Sequence, residues 1–142
     1  AVGDEDREPN ATQMRAMQDH LSEALEAGVL GLSSGLIYHP GRYAKTEELI
    51  ELSSVMRGTR ALYATHMRDE GEGLADSVRE AIAIGQGAGV GVQISHHKAS
   101  GRESWGLVEA SLKLIEAAQA RGPGADHWGR SRRSACLPRR SP

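Results

Sequence analysis

The sequence predicts an α/β fold: a partial TIM-type (β/α)8 barrel of about three parallel strands alternating with four helices. Short apolar runs begin near residues 29, 61 and 90, at a spacing of about thirty residues. The stretches between them carry helical apolar periodicity, so each strand pair is joined by a helical crossover. The links entering the apolar runs are short, whereas those leaving them are long and polar. Polar loops gathered at strand C-termini mark a parallel barrel mouth or a doubly wound sheet. Three strands cannot close a barrel.

Each element follows from local signals. Asn10 caps a first helix with Gln13 three residues on, a variant of the capping box, and Met14, Met17, Leu21 and Leu25 form its apolar face. Gly28 stops it, and residues 29–35 (VLGLSSG) form the first strand. Thr46 is expected to cap the second helix, with Glu47 and Glu48 in its first turn, running to about Arg57. The second strand is ALYAT (61–65), followed by a helix bearing Leu74, Val78, Ile82 and Gly85. The third is VGVQIS (90–95), and a fourth helix carries Val108, Leu112 and Ile115. GQGAGVG (85–91) is glycine-rich but ends a helix before a strand. A phosphate-cradling loop needs the opposite order.

Composition sets the class. At 142 residues, 39% hydrophobic and 25% charged, the chain reads as one soluble globular domain. No apolar run approaches the ~18 residues of a membrane span, and no signal-peptide pattern opens the chain. A lone cysteine, Cys136, excludes an internal disulfide framework and points to a reducing, cytoplasmic setting. Without phenylalanine, the core must rest on Leu, Ile, Val and Ala.

Charge divides the chain in two. Residues 122–142 hold five arginines against Asp126, a balance of +4, while residues 1–121 carry −6. The expected organisation is a partial barrel over 1–121 and an Arg-rich irregular tail over 122–142. No aromatic or groove-binding motif accompanies the arginines, so nucleic acid is not expected as a partner, nor is a membrane. The opening AVGDEDREPN lacks an initiator Met, as though the reading begins inside a larger protein.

The chemistry collects at the strand ends. THMRDE (65–70) and SHHK (95–98) each place a histidine, His66 and His96, directly after a small-residue strand. Strands of neighbouring register lie about 5 Å apart, so the two imidazoles can share one divalent metal. A single such histidine would read as hydrogen-bonded structure; a matched pair favours metal ligation. Lys98 at the same mouth is either a substrate contact or a solvated loop lysine. Arg68, Asp69 and Glu70 either orient the imidazole and bind a carboxylate, or form a salt-bridged loop. Tyr38, Ser33 and Ser34 line a pocket or simply shape a turn. His97 reads as packing beside the site.

GLSSGLIYHPGRYAKTEELIEL, YATHMRDEGEGLADSVREAIAIG and GVGVQISHHKASG resemble the central barrel segment of N-acyl-D-amino-acid deacylases, in the amidohydrolase superfamily. The resemblance covers roughly residues 3–121. It implies a metal-dependent barrel with Zn2+ as cofactor, His66 and His96 as metal ligands, and Lys98, Tyr38 and Arg68 beside an N-acyl amino acid substrate. The family's His-x-His pair, bridging cysteine and catalytic aspartate have no counterpart here, so the chain alone is expected to be inactive. Past Arg121 the family pattern stops, as a frameshift, fusion or mis-joined end would produce. Two alternatives stand beside it: a non-catalytic, self-associating βα half-barrel, and a cyclic-amide hydrolase.

Overall fold

The computed structural model describes residues 2–121; the expectations for the 122–142 tail and Cys136 lie outside them. Helix α1 (Ala11–Glu26) opens on the expected capping box. Gln13 N donates to the Asn10 side chain at 2.9 Å, and Asn10 N donates back to Gln13 Oε1 at 3.0 Å. Such a cap contributes about 1 kcal/mol by giving partners to N–H groups the helix cannot satisfy itself.

Strands β1 (Gly31–Gly35), β2 (Leu62–His66) and β3 (Gly91–Ile94) form one parallel sheet in the order β1-β2-β3. Helices α2 (Thr46–Ser53), α3 (Leu74–Ala88) and α4 (Leu107–Arg121) alternate with them. Registers pair Leu32 with Tyr63 and Tyr63 with Val92, so these three share one face of the sheet. All three pack into an apolar cluster with Leu21, Leu25, Leu49, Met56, Ile84 and Ala88 of the helical layer. A second cluster, built on Met67, Leu74 and Val78, collects Ile94, Leu107, Val108 and Ile115. On the opposite face Ser33 and Gln93 are exposed. The helices thus cover one side of an open sheet, the barrel-segment alternative rather than the doubly wound one. Among the described residues no helix is long and apolar enough to cross a membrane.

Glycine at 85 is a packing requirement. A Cβ there would meet Val92 Cγ2 at 2.2 Å, so α3 lies against β3 closer than any side chain permits. Gly89 closes α3 in the left-handed conformation, φ 73°, and its N–H donates to Gly85 O.

Two expectations need correction. Thr46 is the first helical residue and Lys45 holds the cap position without a side-chain bond. The threonine hydroxyl is instead donated to Glu80 Oε1 at 2.9 Å, tying α2 to α3. In α4, Leu112 is exposed rather than part of the apolar face. The buried seam runs through Leu107, Val108, Ser111, Ile115 and Ala118. Ser111 can sit there because its hydroxyl has partners on both sides.

Candidate metal centre

The site grows from the way β2 and β3 end. β2 alternates strictly, burying Tyr63 and Thr65 under the helices and turning Ala64 and His66 to the open face. Its register places Gly35 beside His66. β3 stops at Ile94, and Ser95 N donates to Thr65 O at 3.0 Å, carrying the sheet pattern one residue further. His96 then adopts φ 38°, a left-handed backbone that costs a non-glycine residue on the order of 1 kcal/mol. The turn folds the His96 ring back toward β2.

The two imidazoles meet. His96 Nε2 faces His66 Nδ1 in direct contact, and the ring centroids are 4.3 Å apart. On the far side of His96, Nδ1 lies 2.9 Å from Glu70 Oε1. The other Glu70 oxygen, Oε2, pairs with Lys98 Nζ, which is also 3.3 Å from His96 Nδ1. The Glu70 side chain is only 10% exposed, so its charge is held between the lysine and the imidazole. Loop bonds fix this layer: Leu36 N donates to His66 O at 3.0 Å and Ser100 N to Glu70 O at 2.6 Å. Tyr38, largely exposed, sets its ring edge-on to His66 with centroids 6.1 Å apart.

Other candidates go elsewhere. Arg68 turns from the imidazoles and holds Glu80 by Nε at 3.0 Å and Nη2 at 2.8 Å. Its remaining bonds reach Arg42 O at 2.6 Å and Ala44 O at 2.8 Å. The guanidinium is therefore committed to bracing the β1–α2 loop against α3. The hydrogen-bonded Glu80 carboxylate raises its already high pKa. Asp69 accepts from Gly71 N at 2.6 Å and Gly73 N at 3.2 Å, shaping the loop before α3. Ser34 faces the helical layer among Tyr63 and Thr65, away from the mouth.

His97 anchors α4. The Ser111 hydroxyl donates to Val108 O at 3.0 Å, so His97 Nε2 must donate to Ser111 Oγ, 2.8 Å away. Burial pushes the His97 imidazole below its ordinary pKa, keeping it neutral. Sequence reasoning did not single out Glu80 or Ser111. Both sit at helix positions where a polar residue reads as surface, and only the tertiary partner reveals the role.

His66 and His96 present facing ring nitrogens with a carboxylate behind one of them, a donor set suited to Zn2+. Among the described residues no group of three His, Cys, Asp or Glu side chains is arranged to hold a metal.

No family model matches the chain. Over 109 residues it is 43% identical to a D-aminoacylase of Alcaligenes xylosoxydans xylosoxydans, covering 77% of this chain and 22% of that protein. An N-acyl-D-glutamate deacylase of the same organism is 39% identical over 122 residues, 86% of this chain and 25% of that one. Among solved structures, a D-aminoacylase described as defining a subset of amidohydrolases superposes with TM-score 0.80 at 41% identity, over 85% of this chain and 26% of that chain. An N-acyl-D-glutamate deacylase of Bordetella bronchiseptica, complexed with zinc and a phosphonate mimic of the tetrahedral intermediate, also gives 0.80. That match is 40% identical and covers 86% of this chain and 26% of the other. The chain therefore spans about a quarter of the length of the relatives it matches.

Proposed function

We propose a role in metal-dependent amide hydrolysis from one premise: this chain is homologous to a barrel segment of the N-acyl-D-amino-acid deacylases. The observation that carries the reading is the meeting of His96 Nε2 and His66 Nδ1 at the C-terminal ends of adjacent parallel strands. These nitrogens would hold Zn2+, which when bound lowers the pKa of a water toward ~7 and polarises a carbonyl. Glu70 sets the orientation of His96, Tyr38 forms one wall beside His66, and Lys98 offers an ammonium at the rim. In the whole protein the substrate class is an N-acyl-D-amino acid, and the lysine would steer its carboxylate. Arg68, occupied by Glu80, takes no part in that contact.

A catalytic zinc usually has three protein ligands and one open position. With two, the chain as given should bind zinc weakly and release no measurable D-amino acid. Zinc titration of the wild type, His66→Ala and His96→Ala tests this. Loss of binding in each variant is expected; unchanged affinity in both defeats the ligand assignment.

Self-association has its own support. The sheet face bearing Ser33 and Gln93 is uncovered among the described residues, and Val29 and Leu30 beside it are 45% and 87% exposed. Sedimentation velocity should show concentration-dependent assembly, and a monomer at all concentrations would end this reading.

A further inference from the structure

We propose that Arg68 and Glu80 are positioning residues for Tyr38: acting through the backbone of the β1–α2 loop, they hold its ring beside His66 as a preformed wall of the substrate pocket. The inference rests on the site reading above and adds what fixes that wall.

Tyr38 needs a holder. Its ring stands edge-on to His66 with centroids 6.1 Å apart, yet the residue is 62% exposed, so burial does little to keep it there. Among the described residues, the hydrogen bonds of 37–44 are mostly internal to the loop. Tyr38 N reaches Gly35 O at its root, Arg42 N donates to Tyr38 O at 2.8 Å, and Tyr43 N and Ala44 N donate to Pro40 O and Gly41 O. The bonds that reach beyond β1 come from Arg68, at 2.6 Å to Arg42 O and 2.8 Å to Ala44 O. Arg42 is therefore gripped twice: the guanidinium holds its carbonyl, and its own N–H holds the Tyr38 carbonyl.

Glu80 aims the guanidinium. With Nε and Nη2 seated on the carboxylate of α3, the planar fork has one direction left, and its other donors face the loop. Thr46 Oγ1 donates to the same carboxylate at 2.9 Å, so the exit of the loop into α2 is tied to the same point. Sterics complete the seat. A Cβ on Gly35 would lie 3.2 Å from Tyr38 Cδ2, and one on Gly41 would lie 2.6 Å from Gly35 O, so the loop closes directly onto the end of β1. Gly35 is the register partner of His66, which sets the ring against the strand that carries the imidazole. A wall held in this way needs no ordering when a substrate arrives.

The position of the ring reads out without metal or turnover. The zinc-free 142-residue chain labelled with fluorotyrosine should give one 19F signal for each of its three tyrosines, Tyr38 being assigned by its loss in Tyr38→Phe. In Arg68→Ala and in Glu80→Ala the Tyr38 signal should move to its position in the urea-unfolded chain, and its Overhauser contact with the His66 ring should vanish. The signal of Tyr63, buried under the helices, should stay in place. Arg68→Lys and Glu80→Gln, which keep part of the grip, should shift Tyr38 less and leave Tyr63 unmoved. If the alanine variants unfold, these two decide. A Tyr38 signal unchanged in the folded variants, or a Tyr63 shift as large as that of Tyr38 in all of them, would overturn the inference. Zinc enters none of these measurements, so failure of the metal-site reading in the zinc titration is a separate outcome.

Discussion

Arg68 grips Glu80 with two roughly parallel bonds, 3.0 Å from Nε and 2.8 Å from Nη2, while its other donors hold Arg42 O and Ala44 O. Two-pronged pairing of this kind is geometrically selective, and a lysine cannot reproduce it. The pair is partly exposed, with the side chains at 34% and 14%, which discounts its Coulomb energy. Arg68→Ala should destabilise the chain by about 2 kcal/mol in urea unfolding, mostly through the orphaned Glu80 and loop carbonyls. Arg68→Lys should recover less than half of that. Zinc affinity should stay unchanged in both, which separates a brace from a site residue.

Gly85→Ala reverses the usual helix rule. Alanine is the better helix former by about 1 kcal/mol, but its Cβ would land 2.2 Å from Val92 Cγ2 and 3.1 Å from Val90 O. Overpacking of this kind costs about 1–3 kcal/mol, so the variant should melt lower than the wild type. A raised melting temperature would show that α3 can move off the sheet freely.

Tyr63 ties stability to alkaline pH. Ser34 Oγ donates to Thr65 Oγ1 at 3.1 Å, so the buried Tyr63 phenol donates to Ser34 Oγ, 2.6 Å away. Burial raises its pKa above the ordinary 10. The unfolded chain therefore loses the phenolic proton first, and stability falls as pH rises from about 10 toward the higher folded value. Urea midpoints at pH 9 and pH 11 should diverge in the wild type and converge in Tyr63→Phe. Equal pH slopes in the two would refute the linkage.

The architecture was legible in the sequence because strand ends and helix starts are local signals. Ser-His and Thr-His after short apolar runs placed His66 and His96 together without any tertiary information. Arg68 could not be read the same way. Alternation ends with β2, and past His66 no periodicity says whether a side chain points to the mouth or to α3. Asp69 and Glu70 share that loop, yet one closes a turn and the other backs His96. Ser111 was hidden for a related reason: a serine on an apolar seam looks misplaced until His97 is seen to bind it.

The division of the apolar residues into two clusters has a consequence for how the molecule comes apart. α3 is the beam common to both, with Val78 in one and Ile84 and Ala88 in the other. α1 and α2 belong to the first, and α4 to the second. Undocking α4 removes the anchor of His97 and slackens the loop that carries His96, while Tyr63 and its neighbours keep their own packing. The pairing of the imidazoles is therefore coupled to the docking of α4 through the His97–Ser111 hydrogen bond.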